Sequence, residues 1–130
     1  MTEPRVILIV EDNPRNLMLV RNVLSFNGYG TLEAPNAEEG IALARTHQPD
    51  LVLMDVQLPG MGGVEALRVL RAEPSTAALR VVALTAFAMK DDRAKYLADG
   101  FDGYLAKPLS VRELPGQVES LMASEKGARV

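Results

Sequence analysis

Apolar runs alternate along this chain with segments whose apolar positions recur at helical spacing. Val6–Val10, Leu51–Met54 and Val81–Leu84 are apolar on successive residues. That is the pattern of strands buried on both faces of a parallel sheet, since a strand with one wet face would alternate. Shorter strands are predicted around Thr31–Ala34 and Tyr104–Ala106. After the first strand, Asn13 suits an N-cap and Pro14 the first helical position, and Leu17, Met18, Val20, Val23 and Leu24 follow until Gly28 stops the helix. Asn36 with Glu39 three residues on is close to a capping box, opening a second helix that ends near His47 to Pro49. The turn-rich loop Gln57–Gly63 precedes Val64, Leu67, Val69 and Leu70, a third helix running to about Pro74. A fourth is predicted from about Ala88 to Asp99, stopped by Gly100, and Ser110–Glu113 reads as a capping box opening the last. Pro115 and Gly116 fall inside that last helix, so a kink or a late restart is expected there.

Five strands alternating with five helices imply right-handed crossovers and one parallel sheet covered on both faces. The predicted fold is α/β, a three-layer α/β/α sandwich. The pattern does not fix the strand order, but the element count suits the flavodoxin-like order 2-1-3-4-5. A chain of 130 residues, 48% hydrophobic and 24% charged, suits one globular domain. That domain is expected over residues 1–123, with 124–130 a short flexible tail.

Composition then narrows the function. The absence of cysteine removes disulfide frameworks and thiolate metal sites and tolerates a reducing compartment. Apolar runs fall far short of the ~18 residues of a membrane span, and the acidic start lacks the regions of a signal peptide, so a soluble cytoplasmic protein without membrane insertion is expected. Net charge is −3 and the Lys and Arg residues are scattered, which argues against a nucleic-acid partner.

In an open α/β sheet the ligand crevice lies beyond the carboxyl ends of the strands. Strand one ends in Glu11 and Asp12, strand three in Asp55, strand four in Thr85 and Ala86, and strand five in Lys107 and Pro108. Three carboxylates on one edge repel unless a cation sits among them, and oxygen ligands without His or Cys point to Mg²⁺. An ammonium and a hydroxyl at the same edge suit a bound phosphoryl group. Together these groups suit phosphoryl transfer, with Asp55 as the best nucleophile because it stands alone before a flexible loop. Taken singly each has an ordinary reading: helix N-terminal charge for Glu11 and Asp12, a turn for Asp55, a cap for Thr85, a solvated charge for Lys107. Their conjunction on the ligand-binding edge favours function. His47, the only histidine, is read as a structural residue at the end of helix two.

At these positions the segments VEDN (10–13), LVLMDVQLPGMGG (51–63), ALTAFAM (83–89) and GYLAKP (103–108) resemble the CheY-like receiver domain of two-component response regulators over residues 5–123. The wording is most similar to single-domain receivers of bacterial cell-cycle control. The resemblance implies that Asp55 takes phosphoryl from a sensor or hybrid histidine kinase or a phosphotransfer protein. It further implies that Asp12, Asp55 and the backbone carbonyl of Gln57 ligate Mg²⁺, for which Mn²⁺ can substitute, with Glu11 acting through water. Thr85, Lys107 and the backbone N–H groups of Gln57 and Ala86 would hold phosphoryl oxygens, and Lys107-Pro108 matches the family's cis peptide. Tyr104 matches its switch aromatic. A downstream protein would read the face of helix four, strand five and helix five, with Phe87, Ala88 and Met89 as candidate contacts, and the protein would be a monomer or weak dimer. The resemblance implies a phosphoacceptor that assists its own phosphorylation and dephosphorylation, not an enzyme in the ordinary sense. A Mg²⁺-dependent phosphohydrolase with an aspartyl-phosphate intermediate, and a receiver-shaped binding module that is not phosphorylated, are the alternatives. An FMN carrier is disfavoured because Glu11 and Asp12 would repel its phosphate.

Overall fold

A computed structural model describes residues 4–86 and 90–123. Its elements follow in the order β1 (Val6–Val10), α1 (Pro14–Phe26), β2 (Gly30–Ala34), α2 (Ala37–His47), β3 (Leu51–Asp55), α3 (Gly63–Ala72), β4 (Val81–Thr85), α4 (Lys90–Asp99), β5 (Gly103–Ala106) and α5 (Leu114–Ala123). The strands form one sheet of order β2-β1-β3-β4-β5, and every neighbouring pair is parallel. Apolar side chains pointing alternately up and down from the central strands explain the three layers. Leu8, Val10, Val52 and Met54 pack with Ile41, Leu67, Leu70 and Tyr96 of α2, α3 and α4. Ile7, Ile9, Leu51 and Leu53 face Val20, Leu24, Leu114 and Val118 of α1 and α5 on the other side.

Local chemistry sets the element boundaries. Asn13 Oδ1 accepts the N–H groups of Arg15 and Asn16, satisfying orphan donors at the start of α1. Asn36 caps α2 through the Glu39 N–H at 2.9 Å, while its own side-chain amide donates to the Glu39 carboxylate. The last helix begins later than its capping signal. Ser110 does accept the Glu113 N–H, but residues 111–113 form only a turn, and α5 starts at Leu114. Pro115 therefore sits in the first helical turn, where a missing N–H costs nothing, and the bonds Leu114 N–H to Ser110 O and Gln117 N–H to Glu113 O bracket it. Late onset, not a kink, is how the chain accommodates proline. Helix α3 stops at Ala72, short of Pro74, and residues 87–89 at the expected start of α4 lie outside the described residues.

The loop after β3 must turn sharply to begin α3 beside the strand it has just left. A Cβ on Gly63 would lie 2.3 Å from the Asp55 carbonyl oxygen and 2.8 Å from Val56 Cα, so only glycine lets the helix start this close to the strand end. Its N–H closes the turn onto Val56 O at 3.2 Å. Gly116, by contrast, has nothing within 4 Å of a built Cβ. Gly63→Ala should cost about 2 kcal/mol or more through backbone overpacking, whereas Gly116→Ala should be neutral or stabilise by up to about 1 kcal/mol. Urea denaturation of the two variants checks the contrast, and equal effects would contradict it.

Candidate functional site

Level registry brings the strand ends to one rim. Val10 pairs with Ala34 and Met54, Asp55 with Leu84, and Thr85 with Ala106. The ladders extend one step further, through Glu11 N–H to Ala34 O, Val56 N–H to Leu84 O and Lys107 N–H to Thr85 O. Glu11, Asp55, Thr85 and Lys107 thereby share the carboxyl edge of the sheet. Asp55 is the last residue of β3 itself, not the first after it.

Glu11 is 1% exposed and Asp55 3%, an expensive burial for two carboxylates unless positive charge and hydrogen bonds offset it. The Lys107 ammonium supplies the charge, 2.9 Å from Asp55 Oδ2 and 2.8 Å from Glu11 Oε1. Gln57 N–H donates to Asp55 Oδ1 at 2.9 Å, and Asn13 N–H to Glu11 Oε2 at 3.2 Å. Burial, aided by a hydrogen bond to Asp55, pushes the Glu11 carboxyl up to about 7 against the opposing pull of Lys107 and the Asn13 N–H. At Asp55 burial also acts upward, but hydrogen bonds with Glu11, Lys107 and the Gln57 N–H overcome it and hold this carboxyl below its ordinary range. Burial lowers Lys107, yet its contacts with Glu11 and Asp55 outweigh that and raise it. The resting state is thus an ionised Asp55 facing an ammonium, with Glu11 able to take a proton near neutrality.

Asp12 is exposed beside this pair, and carboxylate oxygens of Glu11, Asp12 and Asp55 lie within 4.8 Å of one another. Buried Glu11 Oε1 is held by the Lys107 ammonium at 2.8 Å and otherwise makes no well-formed hydrogen bond. An all-oxygen donor set of three carboxylates, with the exposed one at its mouth, fits a hard divalent cation.

Lys107, Pro108, Ala86 and Thr85 are also on this rim, and Tyr104 and His47 are not. Lys107-Pro108 is a cis peptide. Ala86 is exposed and lines a cleft of about 240 Å³ with Asn16, Lys107, Pro108 and Leu109. Thr85 is 1% exposed, and its hydroxyl bonds the Tyr96 hydroxyl at 2.7 Å. Tyr104 is half-buried on β5, beside Ala83 of β4 in register. His47 is exposed at the end of α2, which leads into the start of β3 and so lies at the opposite edge of the sheet. Phe87, Ala88 and Met89 lie outside the described residues. Tyr96 was not singled out from sequence. The signal was present, since it is the only aromatic in the mainly charged α4, but which face of that helix meets the sheet is set by packing.

The response regulator receiver domain model matches residues 7–119. The chain belongs to the response regulator receiver family. Receivers of this family are phosphorylated on aspartate in two-component signalling and interact with histidine kinases and downstream targets. The chain is 39% identical over 119 residues to the polar-differentiation response regulator DivK of Brucella anthropi, covering 92% of this chain and 97% of that one. Among solved structures it is similar to the receiver domain of a sensor histidine kinase from Pseudomonas aeruginosa with a magnesium ion coordinated in its active-site cleft. That match has 33% identity and a TM-score of 0.83, and covers 93% of this chain and 99% of that one. A CheY-like receiver domain protein from Methanospirillum hungatei matches at 28% identity and a TM-score of 0.81, over 92% and 94% of the two chains. No helix among the described residues of this receiver is long and apolar enough to cross a membrane.

A cation entering the receiver's acidic cluster competes with protonation of Glu11. With the Glu11 carboxyl near 7, apparent Mg²⁺ affinity should rise between pH 6 and pH 8 by up to about tenfold. Without metal, the native state binds more protons than the unfolded one between 4.5 and about 7, so Glu11 by itself makes stability fall as pH rises through that window. Mg²⁺ titration at both pH values checks the first expectation; affinity that is flat or falls with pH would contradict it.

Proposed function

We propose that Asp55 is the phosphoacceptor of this receiver and that Glu11, Asp12, Thr85 and Lys107 serve the transfer. The observation that carries the reading is the pairing of a buried Asp55 with the Lys107 ammonium beside an all-oxygen cluster. A carboxylate held below its ordinary range remains an anion at neutral pH, as a nucleophile must. An Asp55 oxygen forms the bond to phosphorus, the phosphorus–nitrogen bond of a phosphohistidine breaks, and the product is an acyl phosphate.

Asp12, Asp55 and the Gln57 carbonyl are the residues that would hold Mg²⁺, with Glu11 contributing through water and Mn²⁺ as a substitute. When bound, the metal offsets the negative charge of the phosphoryl oxygens. Lys107 already points at Asp55 and provides a second positive charge for the same oxygens. The Gln57 N–H that now engages Asp55 Oδ1 and the Ala86 N–H are the backbone donors, and the Thr85 hydroxyl completes the set. The same groups let the domain assist its own phosphorylation and dephosphorylation.

The donor is a sensor or hybrid histidine kinase or a phosphotransfer protein, and the setting is the cytoplasm. The output surface is the α4–β5–α5 face, where Tyr104, Leu105, Gly116, Gln117, Ser120 and Leu121 line a shallow groove of about 380 Å³. Tyr104 is the aromatic expected to turn with the switch, and the receiver works as a monomer or weak dimer. Phosphorylation then shifts an existing equilibrium between two forms of that face.

Intact mass after incubation with acetyl phosphate and Mg²⁺ tests the assignment. The wild type should gain one hydroxylamine-labile phosphoryl group, and Asp55→Asn or a chelator should abolish the gain without unfolding the protein. Undiminished labelling of Asp55→Asn would disprove the site.

A further inference from the structure

We propose that Tyr96 is a positioning residue for the switch: its hydroxyl engages Thr85 in the unmodified protein, so a phosphoryl group on Asp55 must compete with α4 for that hydroxyl. The proposal rests on Asp55 being the phosphoacceptor.

The two hydroxyls are 2.7 Å apart, and either can donate. Bonding to a phosphoryl oxygen requires Thr85 to give its proton. Only the arrangement with Tyr96 as donor survives that demand, and rotation of Thr85 towards the new charge breaks it as well. Both residues are shut away from water, Thr85 at 1% and Tyr96 at 5% exposure, so bulk solvent does not replace the lost bond. A buried hydroxyl left without a partner destabilises the form that contains it. Helix α4 must therefore readjust, or the phosphorylated form is held back.

The tyrosine ring is anchored where it can transmit such a change. It meets Phe101 edge-on, with ring centroids 6.1 Å apart, and the Phe101 N–H bonds the Tyr96 carbonyl at 3.1 Å. The following Asp102 N–H bonds Val81 O at the start of β4, and β5 begins at Gly103. A shift of Tyr96 thus reaches the end of α4 and the entry to β5, two elements of the proposed output face. Tyr96 joins Thr85 to that face by a route separate from Tyr104.

Tyr96→Phe removes the hydroxyl and keeps the ring. With Mg²⁺ and beryllofluoride as the phosphoryl mimic on the full chain, the variant should bind beryllofluoride about 2- to 10-fold more tightly than wild type, because the resting form has lost a buried hydrogen bond. Mg²⁺ affinity alone should not change. Backbone amide signals of residues 94–99 in the unloaded variant should move towards their positions in loaded wild type, which a purely structural role for the ring would not cause. Unchanged or weaker beryllofluoride binding, with those amides at their resting positions, would overturn the proposal. In wild type the Tyr96 hydroxyl proton should exchange slowly at rest and lose protection on loading; retained protection would overturn the proposal even if the variant failed to fold. Wild type that binds no beryllofluoride would instead overturn the phosphoacceptor reading itself.

Discussion

Two buried carboxylates and the half-buried ammonium that pairs with both, at the end of the sheet, set the terms for the rest of this molecule. Lys107 lies within 3 Å of both Glu11 and Asp55, and the three side chains arrive from different strand ends. Such a cluster exists only if the strands are level, which the registry of β1, β3, β4 and β5 secures. Close approach of α3 to the end of β3, allowed by the absence of a side chain at Gly63, fixes the turn whose Gln57 N–H holds Asp55. Packing and electrostatics are thus one problem here: the fold positions charges that would otherwise repel, and the balance among those charges leaves Asp55 ionised and Glu11 near neutrality.

That balance links the resting state to chemistry. A protonatable Glu11 and an ammonium keep the pocket tolerable without metal, and the three clustered carboxylates leave it open to a cation. A phosphoryl group on Asp55 would add negative charge to a place already supplied with Lys107 and oxygen ligands for a divalent ion. The neighbouring hydroxyl of Thr85 is bonded to α4 through Tyr96, and the proposed switch would pass the charge change to that helix there.

Much of this was legible in the sequence. The three apolar runs became the central strands, and Asn13 with Pro14, and Asn36 with Glu39, mark helix starts by local hydrogen bonding that does not depend on the rest of the fold. The strand-end residues Glu11, Asp12, Asp55, Thr85 and Lys107 converge because parallel strands share a carboxyl edge. Where long-range packing decides, the sequence was weaker. Ser110 signals a helix start, yet α5 begins four residues later with Pro115 in its first turn, because proline is tolerated there and not further in. Tyr96 escaped notice for a similar reason: its importance comes from facing Thr85, a contact between elements that no periodicity in α4 announces.

A crystal structure of the protein with Mg²⁺ and beryllofluoride tests the central claim most directly. The account expects the beryllium on an Asp55 oxygen, Lys107 and Thr85 bonded to fluorine, the metal on Asp12, Asp55 and the Gln57 carbonyl with Glu11 reached through water, and the Thr85–Tyr96 hydrogen bond broken. Beryllofluoride absent from Asp55 under saturating conditions, or bound there while Lys107 and Thr85 keep their resting partners, would contradict it.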